Sequence, residues 1–375
     1  MHAYEWKTPR ALVDLDVLDR NCERMSALAA RQGVVLRPHV KTHKCAQIAR
    51  LQTRGGPARL TVSTMAEARA FAAEGFGDIT YAVPVPFHAI PEAADLLRKG
   101  IKLNLLLDSE AALVELEAAA RSLNVRFPVF LKVDCGYHRA GVDPAREESI
   151  SLARRIAHSR ALEFLGLLTH AGHAYGCRNR AEILTVARQE RDVTVGFAQR
   201  LRSEGMGVIE VSVGSTPTCS VAEDWQGVTE IRPGNYVFYD AFQAAMGTCD
   251  LSDALAFTVL ATVIGHYPSR GEILINAGAL ALSKDPGPVH VEEACGFGAL
   301  FTAGGSHLKS LRITGLSQEH GLVSVRDPDE FGRLPIGSDL RIVTNHSCLA
   351  AACFGSYAVL RNGEVVDEWP TVRGW

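Results

Sequence analysis

Lys41 stands in the run Arg37-Pro38-His39-Val40-Lys41-Thr42-His43-Lys44, directly after the apolar stretch Gly33-Val34-Val35-Leu36. That order predicts a lysine where a buried strand ends, the position at which barrel enzymes carry their chemistry. Apolar surroundings, a second cation at Lys44, and His39 and His43 close by would disfavour the ammonium form. The amine would then be nucleophilic, as imine formation with a carbonyl requires. A single lysine is more commonly a solvated surface charge, so the rest of the chain has to carry the point.

Val213-Gly214-Ser215-Thr216-Pro217-Thr218 follows an apolar run and offers backbone N–H groups, hydroxyls and a helix start, which suit a phosphate; a plain helix cap explains the same residues as well. One predicted strand later comes Glu230-Ile231-Arg232-Pro233-Gly234-Asn235-Tyr236. Two such loops at the ends of the last two strands of a barrel argue for a phosphorylated ligand. Lys132-Val133-Asp134-Cys135-Gly136-Tyr137-His138-Arg139-Ala140-Gly141 places the permanent cation of Arg139 just past a strand, where it could hold a phenolate or carboxylate oxygen; a surface arginine after a glycine turn is the plainer alternative. In Thr169-His170-Ala171-Gly172-His173-Ala174-Tyr175, Tyr175 could contact a ring and His170 orient it, although such a histidine is more often part of an ordinary loop.

His346 and Cys348, in Asn345-His346-Ser347-Cys348, come at the end of an apolar run. On a strand, residues two apart share a face and could share a metal. Two ligands leave positions open for water and substrate, and the thiolate favours zinc over magnesium or manganese. Gln318-Glu319-His320-Gly321 could add an outer partner or be an exposed turn.

The elements that must position these groups form two textures. Eight β-rich runs, at 33–37, 59–63, 78–83, 102–107, 128–134, 163–169, 208–213 and 228–232, alternate with helical stretches such as Ala66 to Glu74, Ser109 to Ser122 and Arg180 to Glu204. Eight strands close a (β/α)8 barrel of the TIM type. A doubly wound open sheet is the weaker reading, because no glycine fingerprint follows Ala11-Leu12-Val13-Asp14-Leu15. After about residue 250 the runs at 256–267, 272–276, 310–314, 340–344 and 356–360 lack intervening helices and predict an all-β domain, joined by the N-terminal run 10–15. The expected division is 16–250 for the barrel, with 1–15 and 251–375 forming the β domain. Gly296 to Gly305 reads as a mobile loop.

At 375 residues and a formal charge of −3, the chain has core material for two domains and no basic stripe, which argues against nucleic acid or an anionic membrane as partner. The expected substrate is small. The first residues resemble no signal peptide, no run of about 18 apolar residues occurs, and nine cysteines without framework spacing fit reduced thiols; a cytoplasmic protein is expected.

Pro-His-Val-Lys-Thr-His-Lys, Asp-x-Gly-x-x-Arg-x-Gly, His-Ala-Gly-His-Ala-Tyr, Val-Gly-Ser-Thr-Pro-Thr, Arg-Pro-Gly-Asn-Tyr and the late His-x-Cys stand in one chain in that order. Together, over nearly the full length, they resemble the metal-dependent branch of the alanine racemase-like (fold type III) pyridoxal phosphate enzymes, which contains D-serine dehydratase, D-threo-3-hydroxyaspartate dehydratase and D-threonine aldolase. The resemblance implies that Lys41 holds pyridoxal 5'-phosphate covalently and serves as the catalytic base, with Arg139 at the ring phenolate and His170 and Tyr175 against the ring. It implies that Ser215, Thr216, Gly234 and Asn235 grip the phosphate, that Tyr236 also binds the cofactor, and that His346 and Cys348 hold Zn2+ or another divalent metal. It further implies a homodimer. Members with aldolase activity tend to carry His-x-Asp at the metal position, so the cysteine points to dehydration of a D-3-hydroxy amino acid to a 2-oxo acid and ammonia. Retro-aldol cleavage to glycine and an aldehyde is the alternative, and a non-catalytic cofactor carrier the remote one. A β-carboxylate on the substrate would want an extra cation, for which Arg178, Arg180 and Lys284 are candidates.

Overall fold

The computed structural model describes residues 7–375. The chain divides into two compact units, one formed by Glu23–Gly234 with Val372–Trp375, the other by Asn235–Thr371 with the N-terminal residues up to Cys22.

The first unit is built on eight parallel strands: Val35–Leu36, Arg59–Val62, Asp78–Pro84, Lys102–Leu107, Phe127–Lys132, Leu162–Leu168, Glu210–Val213 and Glu230–Ile231. From the second to the eighth each pairs with its sequence neighbour, and the first pairs with the eighth, Val35 opposite Glu230. The His39–Thr61 bridge and the Thr61 N–H to Pro38 carbonyl bond of 2.9 Å join the first strand to the second, so the sheet returns on itself as a TIM-type barrel. Strands such as Phe127–Lys132 are buried at every position, as parallel strands covered on both faces must be.

The helices between the strands start where the sequence supplies caps. Thr64 accepts the Glu67 N–H, Ser109 the Ala112 N–H and Asn179 the Glu182 N–H. Helix Arg180–Ser203 buries Ile183, Ala187, Glu190, Thr194, Phe197, Ala198 and Leu201, a stripe at three- and four-residue spacing that includes one carboxylate.

A polar chain runs through the buried part of the barrel. Arg37 is fully buried and donates to Glu230 and Asp78, each at 2.6 Å; Ser212 donates to Glu230 at 2.6 Å and receives Arg232 at 2.5 Å. Paired in this way, the charges hold one register across the first, third, seventh and eighth strands.

The second unit is an antiparallel β domain. Strand Arg10–Asp14 lies between Phe257–Tyr267, antiparallel to it, and Ser356–Arg361, parallel to it. Phe238, Phe257 and Tyr357 form its aromatic core, with Phe238 stacked on Phe257 at 5.2 Å and edge-on to Tyr357 at 5.7 Å. Strands Ala299–Thr302, Gly321–Ser324 and Glu364–Pro370 were not expected from the sequence. The first corrects the reading of residues 296–305 as a loop: Ala299–Thr302 pairs with Asp339–Val343, with Leu300 fully buried. The flanking glycines Gly298 and Gly305, at φ of 124° and 91°, turn the chain at either end of this short strand. Among the described residues no helix is long and apolar enough to cross a membrane.

Candidate active site

Lys41 lies in a single 3-10 turn, Val40–Thr42, two residues beyond the bridge that closes the barrel. His39 shapes this turn. Its Nδ1 accepts the Lys41 N–H at 3.4 Å, which puts the ring proton on Nε2, where it reaches the Ser63 hydroxyl at 3.3 Å. Gly234 presses the loop after the eighth strand onto the same turn; a Cβ there would come within 2.8 Å of the His39 carbonyl oxygen.

The lysine's surroundings differ from the expectation. Lys41 is exposed at the barrel mouth rather than enclosed by apolar groups. Lys44, at a positive φ of 51°, pairs its ammonium with the fully buried Glu67 carboxylate and still adds positive charge near His39. His43 is likewise committed elsewhere, to Gln52 at 2.9 Å and the Cys45 N–H at 3.0 Å.

The groups that do face Lys41 are basic. Burial, then Lys41 and Arg232, with smaller contributions from His170 and Lys44, hold His39 well below its ordinary pKa. Burial, then Lys41, Lys132, Arg139 and Arg232, do the same to His170. Lys132, buried at the end of the fifth strand, is pushed down to about 7 by burial and then by Arg232 and Arg139. Arg232, buried just past the eighth strand, donates to Ser212 and to the Thr169 carbonyl. Lys41, Lys132, Arg139 and Arg232 thus act on the His170 ring, and Lys41, Arg232 and Lys44 on the His39 ring, a basic cluster suited to an anionic ligand. Lys132 and Arg232 lay inside quoted motifs without an assigned role; a charged residue ending an apolar strand run was the signal for both.

Arg139 sits on a loop built by Asp134, whose Oδ1 accepts the Gly136 and His138 N–H groups, and by Asp108, which accepts the Gly141 N–H at 3.0 Å. Its guanidinium lies 5.0 Å from the Tyr137 ring centroid. His170 Nδ1 donates to the Gly214 carbonyl at 3.4 Å, and Tyr175 is half-buried on the short helical turn Gly172–Gly176. Ser215 and Thr218 form a capping box at the start of helix Thr216–Val221, so the helix-cap reading of this run is present in full; Thr216 is buried at the first helical position.

In the β domain the His346–Cys348 segment is not part of a strand. His346 is extended, with φ of −131° and ψ of 101°, and Cys348 is the second residue of helix Ser347–Ala351, so the two meet because the chain turns at Ser347. Burial lowers the His346 pKa, but the adjacent Cys348 and the Asp285 carboxylate outweigh it and raise the group to about 11. Asp285 Oδ2 lies 3.1 Å from His346 Nδ1, which leaves Nε2 and the thiol as an N,S donor pair of the kind zinc takes. Among the described residues no group of three or more potential metal ligands forms. The outer partner is Asp285 and not Gln318-Glu319-His320, which are exposed in the turn before strand Gly321–Ser324.

The buried Asp240 accepts the Ser347 N–H at 3.0 Å and the Asn235 amide at 2.7 Å, and that amide also reaches Ser347 Oγ at 2.9 Å and Cys348 Sγ at 3.7 Å. The Asn235 side-chain NH2 is therefore committed to the His346–Cys348 turn. Tyr236 is fully buried.

An alanine racemase N-terminal domain model matches residues 13–241, and a serine dehydratase domain model matches residues 256–360. The chain belongs to the alanine racemase-like serine dehydratase family. Within that family it is 38% identical over 372 residues to D-threo-3-hydroxyaspartate dehydratase of Delftia sp., covering 98% of each chain. It is 37% identical over 395 residues to D-serine dehydratase of Dictyostelium discoideum, covering 98% of this chain and 97% of that one. D-threonine aldolase of Arthrobacter sp. is more distant, at 29% over 374 residues, with 98% and 93% covered. A solved structure of the Delftia enzyme superposes with a TM-score of 0.95 at 37% identity, covering 100% of this chain and 99% of that one. Two further structures of that enzyme are of a histidine-to-alanine variant and of a cysteine-to-alanine variant in the metal-free form, at positions two residues apart. His346 and Cys348 have the same separation.

Proposed function

We propose that this chain is a pyridoxal phosphate- and zinc-dependent dehydratase that converts a D-3-hydroxy amino acid (D-serine, D-threonine or D-threo-3-hydroxyaspartate) to a 2-oxo acid and ammonia. The observation that carries the reading is the clustering of Lys41, Lys132, Arg139 and Arg232 about the neutral ring of His170, with Arg232 bonded to the Thr169 carbonyl and Lys41 and Arg232 also acting on His39. A phosphate, a phenolate and a substrate carboxylate all require such cations, and Lys41 is the one amine among them carried on an exposed turn.

In this reading Lys41 attaches the cofactor, Arg139 holds its phenolate, His170 and Tyr175 bound the ring, and Ser215 and Thr216 with the Gly234 and Asn235 backbone hold the phosphate. Bound pyridoxal phosphate supplies an electron sink for Cα. With the cofactor held there, the Lys41 Nζ would be the base that takes the α-proton of the D-amino acid. His39 and His170 stand beside it as neutral rings. His346 and Cys348 would hold the zinc, which would supply Lewis acidity for loss of a β-hydroxyl. Loss of one water and uptake of another would balance the conversion to 2-oxo acid and ammonia.

The higher identity to dehydratases than to the aldolase, together with Cys348, supports dehydration over carbon–carbon cleavage. We further propose a cytoplasmic homodimer. The test is incubation with each of the three D-amino acids and zinc, assaying 2-oxo acid, ammonia and glycine separately. Equal amounts of 2-oxo acid and ammonia are expected; glycine with an aldehyde would establish cleavage instead, and no turnover of any of the three would sink the reading.

A further inference from the structure

Glu190 is 1% exposed and sits in the apolar stripe of helix Arg180–Ser203, where the spacing calls for an aliphatic side chain. Its Oε1 accepts the Ala171 N–H at 2.9 Å and the Gly214 N–H at 3.0 Å, and its Oε2 accepts the Thr218 hydroxyl at 3.0 Å. These three donors belong to different parts of the barrel mouth. Ala171 follows His170 after the sixth strand, Gly214 precedes Ser215 after the seventh, and Thr218 closes the capping box whose other member is Ser215. Gly214 also receives His170 through its carbonyl, so the carboxylate fixes both ends of the His170 contact.

Burying a carboxylate is costly unless every oxygen is satisfied, and here three charge-assisted bonds satisfy it, all directed to loops that carry site residues. A helix packed by Ile183, Ala187, Phe197 and Leu201 is a rigid post for them. We infer that Glu190 is a positioning residue that locks the His170 loop and the Ser215–Thr218 turn into one unit shaped for the cofactor's phosphate. This rests on the pyridoxal phosphate reading above. The Ala171 and Gly214 N–H groups point at Glu190 and are thereby removed from the set available to a phosphate, which leaves the grip to the residues after Gly214.

The inference predicts an effect selective for the phosphate. The affinities of wild type, Glu190→Leu and Glu190→Gln for pyridoxal phosphate and for pyridoxal, which lacks the phosphate, are measured by absorbance titration after cofactor removal, with thermal midpoints recorded alongside. Glu190→Leu should weaken pyridoxal phosphate by about tenfold or more while leaving pyridoxal within about twofold. Glu190→Gln keeps a carbonyl acceptor for both N–H groups and should restore most of the difference. Equal weakening of both ligands by Glu190→Leu, no weakening of either, or a Gln variant as poor as the Leu variant would overturn the inference. Should Glu190→Leu fail to fold, Thr218→Val severs the same link from the other side, and absence of phosphate selectivity there overturns it equally. A wild-type chain that binds neither ligand would sink the cofactor reading itself, an outcome visible before any variant is compared.

Discussion

Asp285 Oδ2 lies 3.1 Å from His346 Nδ1 and fixes which imidazole nitrogen is turned toward Cys348. Outer carboxylates of this kind commonly contribute about 10–100-fold to metal affinity. Asp285→Ala should therefore weaken zinc binding by about that factor, read by competition with a chromophoric chelator, while His346→Ala removes it. Unchanged zinc affinity in Asp285→Ala would show that the carboxylate does not orient the ring.

Lys41→Ala should abolish turnover and the absorbance of bound cofactor between about 410 and 430 nm. Its turn is shaped by His39, and the contact survives without the lysine side chain because the Lys41 backbone N–H makes it. The variant should accordingly keep the wild-type thermal midpoint within about 2 °C. Retained turnover would remove Lys41 from the chemistry.

The barrel was legible because fully buried parallel strands are continuous apolar runs: Lys102–Leu107 and Phe127–Lys132 stand out in any window. The short strand Ala299–Thr302 was not, because four residues among glycines carry too little pattern and their pairing with Asp339–Val343 is purely tertiary. Lys41, His346 and Cys348 could be singled out by type and spacing. Asp285 could not, since it meets His346 across 61 residues of sequence. Glu190 was hidden for a different reason: a glutamate in an amphipathic helix reads as a solvated face, and only its phase within the stripe Ile183, Ala187, Thr194, Phe197 marks it as buried. The strand assumed for His346 and Cys348 failed because the apolar run ends at Val343 and the chain then turns into a helix.

Gly234→Ala tests the packing of the loop after the eighth strand on the Lys41 turn. The added Cβ would lie 2.8 Å from the His39 carbonyl oxygen and 2.9 Å from the His39 Cβ, atoms of the backbone and its first side-chain carbon that cannot swing away. Overpacking of this kind costs about 1–3 kcal/mol. Urea unfolding should show that loss, together with weaker cofactor binding, since the displaced turn is the one that carries Lys41. A variant as stable as wild type would mean that the loop yields without strain.

Lys132 makes a pH-dependent prediction. Burial and neighbouring cations hold it at about 7 in the folded chain against an ordinary 10.5, so between these values the unfolded state binds a proton that the folded state has lost. With the cofactor removed, its contribution is least favourable below pH 7 and improves as pH rises toward 10.5. Lys132→Met, of similar length and without the charge, should stabilise the cofactor-free chain at pH 6.5 by on the order of a few kcal/mol, with the gain shrinking by pH 10. Denaturant midpoints at the two pH values check it, and a gain that does not shrink would place the effect in packing alone.

His43 works in the opposite pH range. Burial holds its imidazole at about 3 against 6.5, the Gln52 and Cys45 bonds offsetting only part of that, so the unfolded chain takes up a proton that the folded chain refuses. Stability is intact above pH 6.5 and falls as pH drops through that value toward 3. His43→Asn keeps a side-chain acceptor for the Cys45 N–H two residues on and loses the Gln52 contact. It should be less stable than wild type at pH 7.5 yet lose less on acidification to pH 5. His39 and His170, also held well below their ordinary values, keep the remaining slope from vanishing. A slope in His43→Asn identical to wild type would show that acid sensitivity comes from those two rings alone.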